Sequence, residues 1–409
     1  MDFLCYNIYT KMGGMPEKRN ICKIGGLMKD SLYGDLSIIA MKGCEQFLEQ
    51  VDAYLKEWRR HSDEVSFIVD VNCPRFGTGE AKGTISKSLR GHDVYIICDP
   101  FNYGVTYKMY GKEVPMSPDD HFADLKRIIS ANAGKARRVS VIMPMLYEGR
   151  QHKRSSRESL DCAMALRELE NLGVTNILTF DAHDPRVQNA IPLCGFENIH
   201  PTYQMIKALI RKFPDISIDK NDLMIISPDE GAMSRCMYYS SVLGLDIGMF
   251  YKRRNYSVVV NGRNPIEAHE YLGNDLTGKD AIIVDDMISS GESIIDVALQ
   301  IKEKGAKRIF IFETFGLFTD GLAKFDKAYE EGLFDGIFTT NLVYRTPELL
   351  TRDWYCEVNM CKYVAYIIDT LNHDATISKL LSPIERIHSL VDRHKEKNEQ
   401  QLKLNFDKK

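Results

Sequence analysis

From about residue 65 to residue 340, short apolar runs rich in β-branched residues alternate with stretches of helical periodicity. Asp93-Val94-Tyr95-Ile96-Ile97-Cys98, Arg138-Val139-Ser140-Val141-Ile142-Met143 and Asn176-Ile177-Leu178-Thr179-Phe180 are apolar nearly throughout, not only at every second residue. Strands buried on both faces have this composition, and strands linked through helices lie parallel. The second half repeats the theme with Leu223-Met224-Ile225-Ile226, Ile247-Gly248-Met249-Phe250, Ala281-Ile282-Ile283-Val284, Arg308-Ile309-Phe310-Ile311-Phe312 and Ile337-Phe338-Thr339-Thr340. Helices are expected over 119–132, 159–172 and 202–212. The pattern predicts an α/β chain with mainly parallel sheets flanked by helices.

A chain of 409 residues is too long for one ordinary core. The expected division is an N-terminal extension over 1–64, an α/β domain over 65–198, a second over 199–375 and a polar helical tail over 376–409. Within the extension, Leu36 to Trp58 carries the spacing of one amphipathic helix. Val65 to Val71 reads as the first strand.

A formal net charge of −4 argues against a general nucleic-acid binder. No apolar run approaches the roughly 20 residues that span a bilayer, and Met1-Asp2-Phe3-Leu4-Cys5 does not open a secretory signal. The ten cysteines are scattered without Cys-x-x-Cys spacing, as reduced core thiols in the cytoplasm would be.

The polar motifs fall where the apolar runs end, which is where open α/β sheets bind ligands. The most informative is Asp285-Asp286-Met287-Ile288-Ser289-Ser290-Gly291-Glu292-Ser293. Two carboxylates close an apolar strand, and hydroxyl and glycine residues then open a helix. A helix N-terminus attracts anions, and an acid pair beside it suits sugar hydroxyls. Together they predict a cradle for a ribose 5-phosphate. Four further motifs have a structural reading beside the functional one. Asp181-Ala182-His183-Asp184 suits a metal or a phosphate, or a helix cap before Pro185. Asp229, in Ser227-Pro228-Asp229-Glu230-Gly231-Ala232, suits a metal or caps the next helix. Lys252-Arg253-Arg254 suits a polyphosphate clamp or an ordinary solvated basic run. The segment 147–158, with Arg150 and Gln151, is a basic loop.

These motifs, in this order, resemble those of ribose-phosphate pyrophosphokinases, and the central loop is also similar to that of type I phosphoribosyltransferases. Arg75-Phe76-Gly77-Thr78-Gly79-Glu80 and Ser88-Leu89-Arg90-Gly91-His92-Asp93-Val94 extend the likeness, which covers roughly residues 65–375. Departures are Thr78 and His152 in place of Asp, Glu230 and Ala232 in place of smaller residues, and Glu292 in the phosphate loop.

The resemblance implies two tandem phosphoribosyltransferase-type I domains. It implies transfer of the β,γ-diphosphate of ATP to the 1-hydroxyl of ribose 5-phosphate, giving AMP and 5-phosphoribosyl 1-pyrophosphate. Lys252, Arg254 and His183 would be catalytic. Asp285, Asp286, Ser289, Ser290, Gly291 and Ser293 would hold ribose 5-phosphate. Arg150, Gln151, Phe76 and Glu80 would contact ATP, and His183 and Asp229 would hold Mg²⁺. A homo-oligomer with its nucleotide site at a subunit interface is implied as well. A non-catalytic regulatory homologue and a base phosphoribosyltransferase are the alternative readings.

Overall fold

A computed structural model describes residues 32–59, 66–254 and 266–406, and the side chains of 252–254, 266–269 and 401–406 lie outside the description. The first half runs β1 (Asp35–Ala40), α1 (Glu45–Arg59), β2 (Val71–Asn72), β3 (Thr84–Ile85), β4 (His92–Ile97), β5 (Thr106–Met109), β6 (Lys112–Pro115), α2 (Pro118–Asn132), β7 (Arg138–Ile142), α3 (Asp161–Asn171), β8 (Asn176–Phe180) and β9 (Gly195–Ile199). The second half runs α4 (Thr202–Lys212), β10 (Leu223–Ser227), α5 (Met233–Leu243), β11 (Asp246–Arg254), β12 (Ile266–Leu272), β13 (Asp280–Ile288), α6 (Glu292–Glu303), β14 (Ile309–Gly316), α7 (Ala323–Glu330), β15 (Gly336–Thr340), β16 (Tyr355–Val358) and α8 (Cys361–Asn372). Two more helices follow, α9 (Ser378–Leu381) and α10 (Ile384–Phe406).

The first sheet has the order β1-β4-β7-β8-β9 and is parallel throughout. The second has the order β12-β11-β10-β13-β14-β15-β16, and β12 alone is antiparallel to its neighbour. Its order reverses between β10 and β13, so the crevice beyond their carboxyl ends is the expected ligand position. β13 is paired on both sides, and Ala281, Ile282 and Ile283 are fully buried. Such a strand admits few polar side chains, and those it ends on are held in fixed positions.

One apolar core joins the halves. It takes Ile38, Tyr95 and Phe180 from the first sheet, and Ile225, Val284 and Phe312 from the second. Separate clusters fill the outer face of each sheet. Polar ties reinforce the junction. Arg138 is paired with the buried Asp93 and donates to the Leu371 carbonyl at 2.9 Å, and Asn372 donates to Asp93 at 2.9 Å.

Four expectations are corrected. The first sheet begins at Asp35, not at 65, because β1 pairs along its whole length with β4. The single helix expected over 36–58 is therefore a strand and a shorter helix, separated by a turn at Gly43, whose φ is +94°. The segment before Val71 is not a full strand, since it makes an isolated bridge from Ile68 to Ile38; residues 60–65 lie outside the description. Finally, β13 does not stop at the acid pair. It continues to Ile288 through pairing with β14, whereas its described pairing with β10 ends at Ile283. The acid pair thus sits where β13 has left one neighbour and kept the other.

Candidate active site

Each half sends polar side chains into one cleft. β8 ends at Phe180, and Asp181 then takes a left-handed backbone with φ +42°. That conformation costs a non-glycine residue energy, and the cost is offset where the surroundings fix it. Here Asp181 is 4% exposed. Its carboxylate accepts from Arg235 Nε at 2.8 Å through both oxygens and from Thr314 Oγ1 at 2.7 Å. Burial opposes its charge, but Arg235 and His200 outweigh it and hold Asp181 well below the usual carboxylate range. Arg235 also reaches Asp285, Nη1 to Oδ1, at 3.3 Å. One guanidinium therefore links the end of the first sheet to the acid pair of the second.

His183 makes the second link. Its Nδ1 lies 2.7 Å from Asp286 Oδ2. That bond leads the influences that raise its pKa, against the opposing effect of burial. The histidine of Asp181-Ala182-His183-Asp184 is thus not held by its own flanking acids. Asp181 faces Arg235, while Asp184 pairs with Arg186 and caps a short helical turn at Pro185. The capping reading of this motif is realised by Asp184, while His183 is turned to the acid pair of the second half.

Three carboxyl groups crowd together at the acid pair. Asp285 is held above the ordinary carboxylate range, first by burial and then by Asp286. Glu313 lies directly opposite Asp285 in the parallel register and is 1% exposed, with Oε2 unpartnered among the described residues. Burial, followed by Asp285 and Asp286, raises it well above its usual range. Sequence reasoning missed Glu313, Thr314, His200 and the role of Arg235. The signal for Glu313 was present, as a carboxylate inside the run Ile309 to Phe315. Nothing in the sequence announced that Arg235 would bridge partners 54 and 50 residues away.

Two cavities of about 140 and 360 Å³ share Asp181, Ala182 and His183 as lining. The smaller adds Arg150, Asp286 and Met287, so Arg150 and one member of the acid pair line the same cavity. The larger adds His200, Arg235 and Tyr238. Gln151 lines neither cavity, and its amide donates to the Ser159 carbonyl at 3.0 Å. Phe76 and Glu80 are also outside both. They sit in a tight turn, with Phe76 55% exposed and Thr78 donating to Glu80 at 2.9 Å. The backbone of Lys252 and Arg254 continues β11, but the expectations for their side chains fall outside the described residues.

The loop after the acid pair opens a helix, as the sequence predicts. Gly291 precedes α6 with φ +85°, and Glu292 and Ser293 begin the helix, whose first N–H groups have no intrahelical partner. Glu292 does not fill the cradle unopposed, since its side chain is 78% exposed with Lys324 Nζ at 3.8 Å. Ala232, another of the bulkier replacements, has φ −80° and carries no strain. Asp229 Oδ1 accepts from the N–H groups of Gly231 and Ala232 at 2.9 and 3.3 Å, which closes the turn that leads into α5. Any Cβ at Gly291 would strike the Phe325 ring in a backbone region that disfavours side chains. Gly291→Ala is expected to lower stability by about 1–3 kcal/mol. Urea unfolding measures this, and an unchanged midpoint would mean that the loop is free to shift.

Two tandem sheets, with an acid pair and a glycine-containing helix start at the switch point of the second, define a protein of the phosphoribosyltransferase type. Residues 36–173 match the model of the N-terminal domain of ribose phosphate pyrophosphokinase. Residues 195–316 match the phosphoribosyl transferase domain, and 258–382 the phosphoribosyl synthetase-associated domain. The ribose-phosphate pyrophosphokinase of Vibrio cholerae is 27% identical over 323 residues, 76% of this chain and 91% of that protein. That of Mycoplasma pneumoniae is 28% identical over 278 residues, 66% of this chain and 75% of its own. The crystal structure of phosphoribosylpyrophosphate synthetase from Mycobacterium smegmatis superposes with a TM-score of 0.66 at 18% identity, covering 83% of this chain and all of that one, which shows the shared fold. The chain belongs to the ribose-phosphate pyrophosphokinase family.

Proposed function

We propose that the protein transfers the β,γ-diphosphate of ATP to the 1-hydroxyl of ribose 5-phosphate. The observation that carries this reading is the bond between His183 of the first half and Asp286 of the second. It joins the region assigned to the nucleotide to the region assigned to the sugar, at the switch point of the second sheet. The sugar oxygen attacks the β-phosphorus, the bond from that phosphorus to the α–β bridging oxygen breaks, and AMP leaves with that oxygen. The hydroxyl proton is released as the new bond forms.

In this reading Asp285 and Asp286 hold the ribose hydroxyls. Ser289, Ser290, Gly291, Ser293 and the start of α6 hold the 5-phosphate. Arg150 and Gln151 bind ATP from the basic loop, and Lys252 and Arg254 neutralise charge that grows on the transferred group. Phe76 and Glu80, outside the cleft, serve a nucleotide site completed by a second copy of the chain. The protein is a cytoplasmic homo-oligomer in this account; among the described residues no helix is long and apolar enough to cross a membrane.

The residues suit Mg²⁺. Among the described residues no group of three or more His, Cys, Asp or Glu could hold a metal. Mg²⁺, however, commonly takes only one or two carboxylates together with substrate phosphates. Burial first, and repulsion from Asp286 second, raise Asp285, and a cation beside the crowded oxygen donors relieves that repulsion. His183 and Asp229 would hold it at the nucleotide, and the acid pair at the sugar. When bound, Mg²⁺ supplies charge neutralisation to the phosphates.

Ser293 tests the sugar half of the reading, because it is exposed at the start of α6 and has no packing role. Ser293→Ala is expected to raise KM for ribose 5-phosphate about tenfold, the loss of one hydrogen bond to a charged group, with KM for ATP and kcat little changed. A rise confined to the KM for ATP would mean that this loop holds the nucleotide.

A further inference from the structure

A separate cleft of about 450 Å³ opens where α1, α4, α8 and α10 meet. It shares no lining residue with the two cavities of the catalytic cleft. Its charge is of the opposite kind. Lys207 and Arg211, one turn apart on α4, lie on the same helical face, with Lys362 from α8 and Arg386 from α10 also lining the cleft. Glu357 is the one carboxylate of the lining, and it is already paired with Arg345. Among the described residues none of the four cations is in an ion pair. In a chain of net charge −4, that is a concentrated and uncompensated positive surface.

The walls are built to hold a ligand. Lys362 Nζ lies 5.6 Å from the Tyr54 ring and 6.0 Å from the Tyr366 ring, and the Arg386 guanidinium lies 4.5 Å from Tyr203. Tyr366 is backed by Trp58, with centroids 4.3 Å apart. Gln204 adds Oε1, buried and without a hydrogen-bond partner among the described residues, which can accept from a ligand hydroxyl. Arg386 comes from α10, beyond residue 382, where the last family match ends. This chain's own tail therefore completes the cleft.

We infer that this cleft is a second ligand site, which binds a small, multiply charged phosphate ester of nucleotide size. Four cations suit several phosphate charges better than one carboxylate. The volume falls within the usual range for small-molecule sites, and the tyrosines and Gln204 offer surfaces for a ring and a hydroxyl.

The test is hydrogen exchange on the full chain with inorganic triphosphate, and in parallel with ADP. Slowed exchange is expected in α4 and α8, and with Lys362→Glu/Arg386→Glu the half-saturating concentration should rise about tenfold or more, with turnover unchanged. Lys207→Ala, a milder change, should shift it in the same direction. Protection by both probes means that phosphate alone suffices, and protection by ADP alone means that the base is read as well. No protection of α4 and α8 in the wild-type chain, or protection that persists undiminished in the double variant, overturns the proposal. Because the readout is local to α4 and α8, it does not depend on what the catalytic cleft does.

Discussion

Lys252→Ala is expected to lower kcat by about 10²–10³ while leaving the thermal midpoint within a degree or two of wild type, the usual cost of removing one group that stabilises transition-state charge. The in-line transfer of a diphosphoryl group asks little covalent chemistry of a protein and much placement of positive charge. The cleft as described is rich in acid, with Asp285, Asp286 and Glu313 crowded together and Arg235 committed to Asp181 and Asp285. Beyond Arg150, cations for the transferred group must come from elsewhere, and Lys252 and Arg254 follow the buried part of β11, the neighbour of β10 across from the acid pair. Steady-state kinetics paired with a thermal melt separates chemistry from folding. Near wild-type turnover in a folded Lys252→Ala chain would remove this residue from the mechanism.

Arg235→Met should unfold the protein far more easily, by about 3–5 kcal/mol, because it leaves a buried charge without its partner. Asp181 is 4% exposed and the Arg235 side chain 11% exposed, so water cannot replace what is lost. Urea denaturation at pH 7 measures the change. The pH dependence gives an independent check. Asp181 has a folded pKa well below its unfolded value. Its stabilisation is therefore fully present above about pH 4 and is lost as pH falls from there toward the folded value. The gap between wild type and Arg235→Met should narrow over that acid window. A gap that is constant with pH would mean that packing, not the ion pair, carries the effect.

Much of this architecture is legible in the sequence, for identifiable reasons. β4, β7, β8, β10 and β13 are apolar on both faces, and the motifs that follow them lie at their carboxyl ends because a parallel sheet gathers those ends on one side. The start of the first sheet was not legible. In Leu36-Ser37-Ile38-Ile39-Ala40-Met41 the apolar positions also satisfy helical spacing into the following segment, and only pairing with β4 decides for a strand. Gly43 was the local signal for a break there. Within the site, residue types could be read but their partners could not. His183 stands between two acids in sequence and bonds to a third, Asp286, 103 residues on. Thr314 and Arg235 meet on Asp181 only because two sheets share a core. The family departures became interpretable once placed. Glu292 is drawn toward Lys324, Thr78 bonds within its own turn, and Ala232 occupies a backbone position that any residue adopts.

The most direct measurement is a product analysis by mass. The purified protein is incubated with ATP, Mg²⁺ and ribose 5-phosphate, and omission of the sugar is the control. AMP and 5-phosphoribosyl 1-pyrophosphate in equal amounts, both dependent on the sugar, are the predicted result. Formation of ADP in place of AMP, or no AMP at all while both substrates bind, would contradict it.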